Sequence, residues 1–129
     1  MNLLKGKFEK EASGLVFREA AAENGVVIPL KGPIEALAGK VLGKTIVFGI
    51  RPEHLTEESK NGSTTPVSST IDIAEPMGSE SLVYLRAGTG NLIARIHGEA
   101  LYHMGQPLTV YVNLDKVTLF DTETEGVIQ

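Results

Sequence analysis

A chain of 129 residues, 42% hydrophobic and 22% charged, is sized for one domain with a real core and needs no covalent staples. It contains no cysteine, which excludes disulfides and thiolate metal sites. A net charge of −4, twelve scattered Lys and Arg residues and no tryptophan argue against nucleic acid, whose binders cluster cations on phosphates and stack bases on aromatic rings.

The segment after Met1 is interrupted by Lys5, Lys7, Glu9 and Lys10, so no signal peptide is read there. The apolar runs are too short to span a bilayer, and any membrane role is expected to pass through a partner. In chain order, short strands are expected at Leu3–Phe8, Leu15–Arg18 and Val26–Leu30, with Asn24-Gly25 as a turn before the third. Ile34, Leu37, Ala38 and Val41 share one helical face, and Pro33 suits a first helical position. Gly39 and Gly43 keep that helix short. A β-branched run follows at Ile46–Ile50, and a single-turn helix is expected at Pro52. Thr56–Ser69 is rich in Ser, Thr, Glu and Gly and reads as an exposed, mobile loop. Ile71 and Ile73 then alternate with Thr70 and Asp72. Leu82-Val83-Tyr84-Leu85 is apolar on both faces and reads as a central strand. Gly88-Thr89-Gly90-Asn91 is a hairpin turn into a strand that sets Leu92, Ala94 and Ile96 on one face and Ile93, Arg95 and His97 on the other. Leu108, Val110 and Val112 alternate with polar residues, and Val117–Phe120 closes the set. Eight or nine short strands with regular turns predict a mainly-β barrel or sandwich with one or two short helices.

Ala38-Gly39-Lys40-Val41-Leu42-Gly43-Lys44-Thr45 imitates a phosphate-binding loop but has Ala38 in place of the first glycine. It also runs from helix to strand, the reverse of the order that aims backbone N–H groups at a phosphate. His54, His97 and His103 have no neighbours that complete a metal set and read as surface or strand-end residues. Gly78-Ser79-Glu80-Ser81 lacks the closing glycine of a nucleophile elbow. Glu75 and Glu80 could lie close together, although carboxylates on strands more often face water. No catalytic residue and no metal or cofactor site is assigned.

Gly49-Ile50-Arg51-Pro52-Glu53-His54-Leu55 ends a strand in a charged cluster whose backbone is fixed by proline. Such a rigid corner serves equally as an Arg–Glu-held turn or as a contact site for another chain. Ile73-Ala74-Glu75-Pro76-Met77-Gly78-Ser79-Glu80-Ser81 carries a Gly-x-Glu turn. Together with Met1-Asn2-Leu3-Leu4 and the tail Leu119-Phe120-Asp121, these segments resemble, in order, the C-terminal region of maltose/multiple-sugar-type ABC importer ATP-binding subunits.

That resemblance implies an oligonucleotide/oligosaccharide-binding-type (OB, TOBE) β-barrel over residues 1–129, a single C-terminal regulatory domain without its ATPase domain. It implies a module that pairs with its counterpart in a homodimer, contacts its own ATPase domain and in some members receives regulatory proteins. It places the chain in the cytoplasm, at the inner face of the membrane through the transporter subunits. ATP and Mg would belong to the ATPase domain, with none bound here. Arg51, Pro52, Glu53, His54, Glu75, Gly78 and Glu80 match the family motifs and are the interaction candidates. Apolar residues around Tyr102, Met104 and Tyr111 are candidates for the dimer face. The alternative is an OB-type barrel that senses a small sugar or oxyanion. An enzyme ranks last.

Overall fold

The computed structural model describes residues 1–20, 25–59, 62–88, 90–98 and 101–128. The expected turn at Asn24 and the middle of the Gly88–Asn91 turn, Thr89, lie outside the described residues. In order, the elements are β1 (Asn2–Glu11), β2 (Gly14–Glu19), β3 (Val27–Pro29), α1 (Ile34–Gly39), β4 (Thr45–Ile50), a 3-10 turn (Pro52–His54), β5 (Leu55–Thr56), β6 (Thr64–Pro76), β7 (Glu80–Ala87), β8 (Gly90–His97), β9 (Pro107–Asn113) and β10 (Thr118–Asp121). The mainly-β expectation therefore holds, with one short α-helix and one 3-10 turn.

The strands form two five-stranded antiparallel sheets, ordered β10-β4-β1-β2-β3 and β5-β9-β6-β7-β8. The second sheet curls until its two edge strands, β5 and β8, come into contact. Curling of this kind hides strand edges that would otherwise recruit other chains. The chain fills the first sheet through β4 and crosses at residues 51–54 into the second. It returns to the first only with β10.

Alternation explains which side chains point inward. On β1, Leu4 and Phe8 are buried while Leu3, Lys5 and Lys7 face out. Phe8 and Phe17 oppose each other across β1 and β2, and Phe48 reaches them from β4. Phe17 and Phe48 stack at 4.8 Å, and Phe8 meets them edge-on at 5.9 and 6.4 Å, the offset geometries that ring quadrupoles favour. One contiguous hydrophobic cluster draws on these rings and on Ile71, Val83, Leu85, Leu92, Val110 and Val112 of the second sheet. Gly6 lets β1 and β2 approach closely: a Cβ there would lie 2.2 Å from the Arg18 carbonyl oxygen.

The side chain of Asn2 joins the two sheets through this shared interior. Asn2, buried at the start of β1, donates from Nδ2 to the carbonyls of Ile50 (3.1 Å) and Ile93 (2.9 Å). Its Oδ1 accepts from the Ile93 N–H at 2.7 Å. The amide thus pairs with Ile93 as a neighbouring strand would, and satisfies the outward N–H and carbonyl of that residue of β8.

The expectation of a loop over Thr56–Ser69 holds for residues 57–59 and 62–63, which lie outside the strands, and fails for the second half; Lys60 and Asn61 lie outside the described residues. Residues 64–69 are the first half of the long strand β6, paired with β9 from Thr64 to Thr70. The inward positions Thr65, Val67 and Ser69 are mostly polar, so the alternation was hidden. Ser69 is accommodated because its hydroxyl donates to the Leu108 carbonyl at 2.6 Å.

Replacing Asn2 by Ala strands the Ile93 N–H and carbonyl at a covered edge. The expected loss is about 1–3 kcal/mol in urea unfolding. A loss below about 0.5 kcal/mol, the usual scale of an unremarkable surface change, would show that the bridge contributes little.

Candidate functional site

The motif at residues 49–55 is the corner where the chain changes sheets. Ile50 and Leu55 are buried on either side of it. Arg51 is extended, Pro52 begins the 3-10 turn, and the His54 N–H donates to the Arg51 carbonyl at 2.9 Å. Arg51 and Glu53 face solvent, while Pro52 and His54 are half-buried. Nδ1 of His54 is buried and has no hydrogen-bond partner. The Glu53 carboxyl is held below the usual carboxylate range, chiefly because it accepts a hydrogen bond from its own backbone N–H at the start of the turn. Burial opposes this, and the fields of His54, Arg51 and Arg95 reinforce it.

Arg95 links the two motifs that the sequence singled out. It lies on the outer face of β8, within the electrostatic reach of Glu53 and 3.7 Å from the Glu80 carboxylate. Glu80 begins β7 directly opposite His97, whose Nδ1 is 3.6 Å from its other carboxylate oxygen. Beside this group lies an open cleft of about 330 Å³ lined by Glu53, Thr56, Glu57, Glu58, Arg95 and His97. Partial burial, and then the adjacent Glu58, push the Glu57 carboxyl up. Four carboxylates around one arginine make a polar, mixed-charge surface suited to contact with another chain.

Glu75 does not join this group. It sits on β6 beside Tyr84, whose hydroxyl is pushed up by the Glu75 charge, then by burial and a hydrogen bond to that carboxylate. Glu75 and Glu80 therefore have separate partners. Gly78 lies in the turn between β6 and β7, which the Met77 N–H closes by donating to the Glu80 carbonyl at 2.7 Å. Its φ of 88° is a conformation that L side chains adopt with strain. Of the seven motif residues, then, Glu53 and Glu80 meet through Arg95. Arg51, Pro52 and His54 shape the corner, Gly78 shapes the turn, and Glu75 stands apart. Sequence reading missed Arg95, Glu57 and Glu58. The signal available was the outward pair Arg95 and His97 on β8.

The false phosphate loop has a structural use. Its Lys44 donates to Asp121 at 2.8 Å, tying the approach to β4 to the end of β10. Asp121 also accepts from the backbone of Glu123 at 2.8 Å and of Thr124 at 3.3 Å. These bonds, that of Lys44 foremost, hold the Asp121 carboxyl below its ordinary range, and the Lys44 ammonium is correspondingly raised. Among the described residues, no group of three or more His, Cys, Asp or Glu side chains is placed to hold a metal ion. Of the expected dimer-face residues, Met104 is 81% exposed, Tyr102 packs against the core and Tyr111 is half-buried.

Two predictions follow from these placements. Gly78→Ala is expected to cost about 1–2 kcal/mol, whereas Gly39→Ala, in open helical space, should be neutral or stabilising. Equal effects in thermal melts would remove the strain argument. The second concerns pH. A depressed Asp121 adds stability above the ordinary carboxylate pKa, and that stability is lost as pH falls through the depressed value. A raised Lys44 adds stability below the ordinary lysine pKa, lost as pH rises through the raised value. The stability gap between the wild type and Asp121→Asn should therefore be widest from about pH 5 to 10 and close in acid. A gap that does not change down to acid pH would contradict the pairing.

Residues 1–55 match the family described as MalK OB fold domain, and residues 48–120 match the family described as TOBE domain. The chain is similar to the oligosaccharides import ATP-binding protein MsmX of Bacillus subtilis, 33% identical over 97% of this chain and 33% of that one. It is also similar to the multiple sugar-binding transport ATP-binding protein MsmK of Streptococcus mutans, 29% identical over 84% of this chain and 30% of that one. A third relative is the sn-glycerol-3-phosphate import ATP-binding protein UgpC of Shigella sonnei, 29% identical over 96% of this chain and 32% of that one. The chain thus spans about a third of the length of these curated relatives. Among solved structures, the cytoplasmic molybdate-binding protein ModG shares the fold, with a TM-score of 0.66 and 16% identity over 92% of this chain and 94% of that one. The TOBE match runs from the sheet-crossing corner through β10, more than half of the sequence, and the chain belongs to the TOBE domain family.

Proposed function

We propose that this chain is the regulatory and dimerising module of the ATP-binding subunit of an ABC importer for sugars or sugar phosphates. The observation that carries this reading is similarity along almost the whole chain to import ATP-binding proteins about three times as long. Both matched families are OB and TOBE modules, not ATP-hydrolysing domains. In this reading ATP and Mg are handled by the remainder of the subunit, and the module holds two subunits together. It works at the cytoplasmic face of the membrane through the transporter subunits, and no described helix is long and apolar enough to cross a bilayer. The Arg95-centred surface, with Arg51, Glu53, His54 and Glu80, is the contact site for the rest of the transporter or for a regulatory protein.

A chimera tests this. Exchanging the matching third of MsmX for this chain, in Bacillus subtilis lacking its own MsmX, should restore oligosaccharide uptake. A chimera that accumulates and hydrolyses ATP yet supports no uptake would overturn the reading.

The oxyanion-sensing alternative meets a physical objection. The 330 Å³ cleft carries Glu53, Glu57 and Glu58 against one arginine, and carboxylates repel an oxyanion. Millimolar molybdate should leave the melting temperature unchanged. Binding to the native state would raise it in proportion to ligand concentration and revive the alternative.

A further inference from the structure

We propose that residues 122–128 are an autoinhibitory strap: they occupy a strand-addition site on the outer edge of β10, which takes an extended segment of a partner protein when the strap lifts. This goes beyond the reading of the chain as an importer module and does not depend on it.

β10 ends the first sheet, with β4 on one side. Its other side is covered by the chain's own tail. The Asp121 N–H donates to the Gly126 carbonyl at 2.9 Å, the Ile128 N–H donates to the Leu119 carbonyl at 2.7 Å, and Phe120 bridges to Val127 in antiparallel sense. With the tail lifted, the outward backbone groups of Leu119 and Asp121 form an open edge of the kind that recruits other strands. The bonds at such an edge run from main chain to main chain, so any extended segment can make them, and side chains supply the selection. Here the selection falls on Ile128, which packs against the core. Val127 is 53% exposed, and residues 123–126 face solvent. The occupant that fits is therefore an extended segment, antiparallel to β10, with an aliphatic residue in the place of Ile128.

The strap is weakly held. Its turn is set by the Asp121 carboxylate, which accepts from the N–H groups of Glu123 and Thr124, and is closed by the Glu125 N–H, which donates to the Asp121 carbonyl at 2.8 Å. Glu125 has φ of 60°, a left-handed conformation that costs a residue with a side chain some strain. The β10–β4 ladder, by contrast, runs over four residue pairs and includes the buried Leu119 and Phe48. A strained turn with a single anchoring side chain opens more readily than the ladder it covers.

Hydrogen exchange and peptide titration of the whole chain, followed by NMR, test this. The probe is a synthetic peptide with the sequence of residues 122–129. The Asp121 and Ile128 amides should exchange at least about tenfold faster than the slowest amides of β4. Glu125→Gly should slow them about fivefold by relieving the strain. Ile128→Pro removes both the N–H and the aliphatic anchor while leaving β10 intact. It should bind the peptide with a Kd at least about tenfold below that of the wild type, because the competing strap is open. The milder Ile128→Ala should act in the same direction, and thermal melts confirm that each variant is folded. Strap amides that exchange together with those of β4 would overturn the assignment. So would a folded Ile128→Pro chain that ignores the peptide or pairs with itself instead, or peptide shifts that fall away from Leu119 and Asp121. The transport chimera reads out separately from all of these.

Discussion

The side chain of Asn2 is the point at which two sheets become one structure. The strands of each sheet satisfy one another by ladder hydrogen bonds, and between the sheets much of the contact is apolar packing, which is non-directional. Asn2 adds direction. It spans from β1 to the carbonyl that ends β4 and to both backbone groups of Ile93 on β8. It thereby fixes how the first sheet sits against the edge of the curled second sheet. The corner at residues 51–54 and the Arg95 group lie beside that same edge, so their geometry depends on it.

The sheet-crossing corner shows how one motif can serve fold and surface together. Ile50 and Leu55 anchor it from the core, proline sets its turn, and the intervening charges project outward. Glu53 and Glu80 are far apart in sequence and belong to different motifs. They become neighbours because β8 presents Arg95 between them. The lysine of the false phosphate loop follows the same logic: it pairs with Asp121 and secures the last strand to β4.

Much of this architecture was legible in the residues. Apolar alternation marked β8 and β9, and the run 82–85 marked β7 as an interior strand. The helix at Ile34 was readable from its periodicity and its length from Gly39. The first half of β6 was not, because Thr65 and Ser69 take inward places that pattern reading reserves for hydrophobes. Local composition describes water affinity, whereas the ladder to β9 supplies the partners that make those positions tolerable. The site was half legible for a similar reason. Glu53 and Glu80 stood out in motifs, but Arg95 required knowledge of which strand lies beside the corner. Asn2 sits in a segment noticed for its resemblance, yet its partner is 91 residues away and nothing local announces it.

The central claim is that the two sheets open and close as a single unit because they share a core and the Asn2 bridge. Native-state hydrogen exchange tests it directly, since cooperative units exchange at a common opening free energy. The account predicts that the slowest amides of β1 and β4 and those of β7 and β8 exchange at the same free energy, with the Ile93 amide among them. Separate free energies for the two sheets, with Ile93 exchanging early, would contradict it.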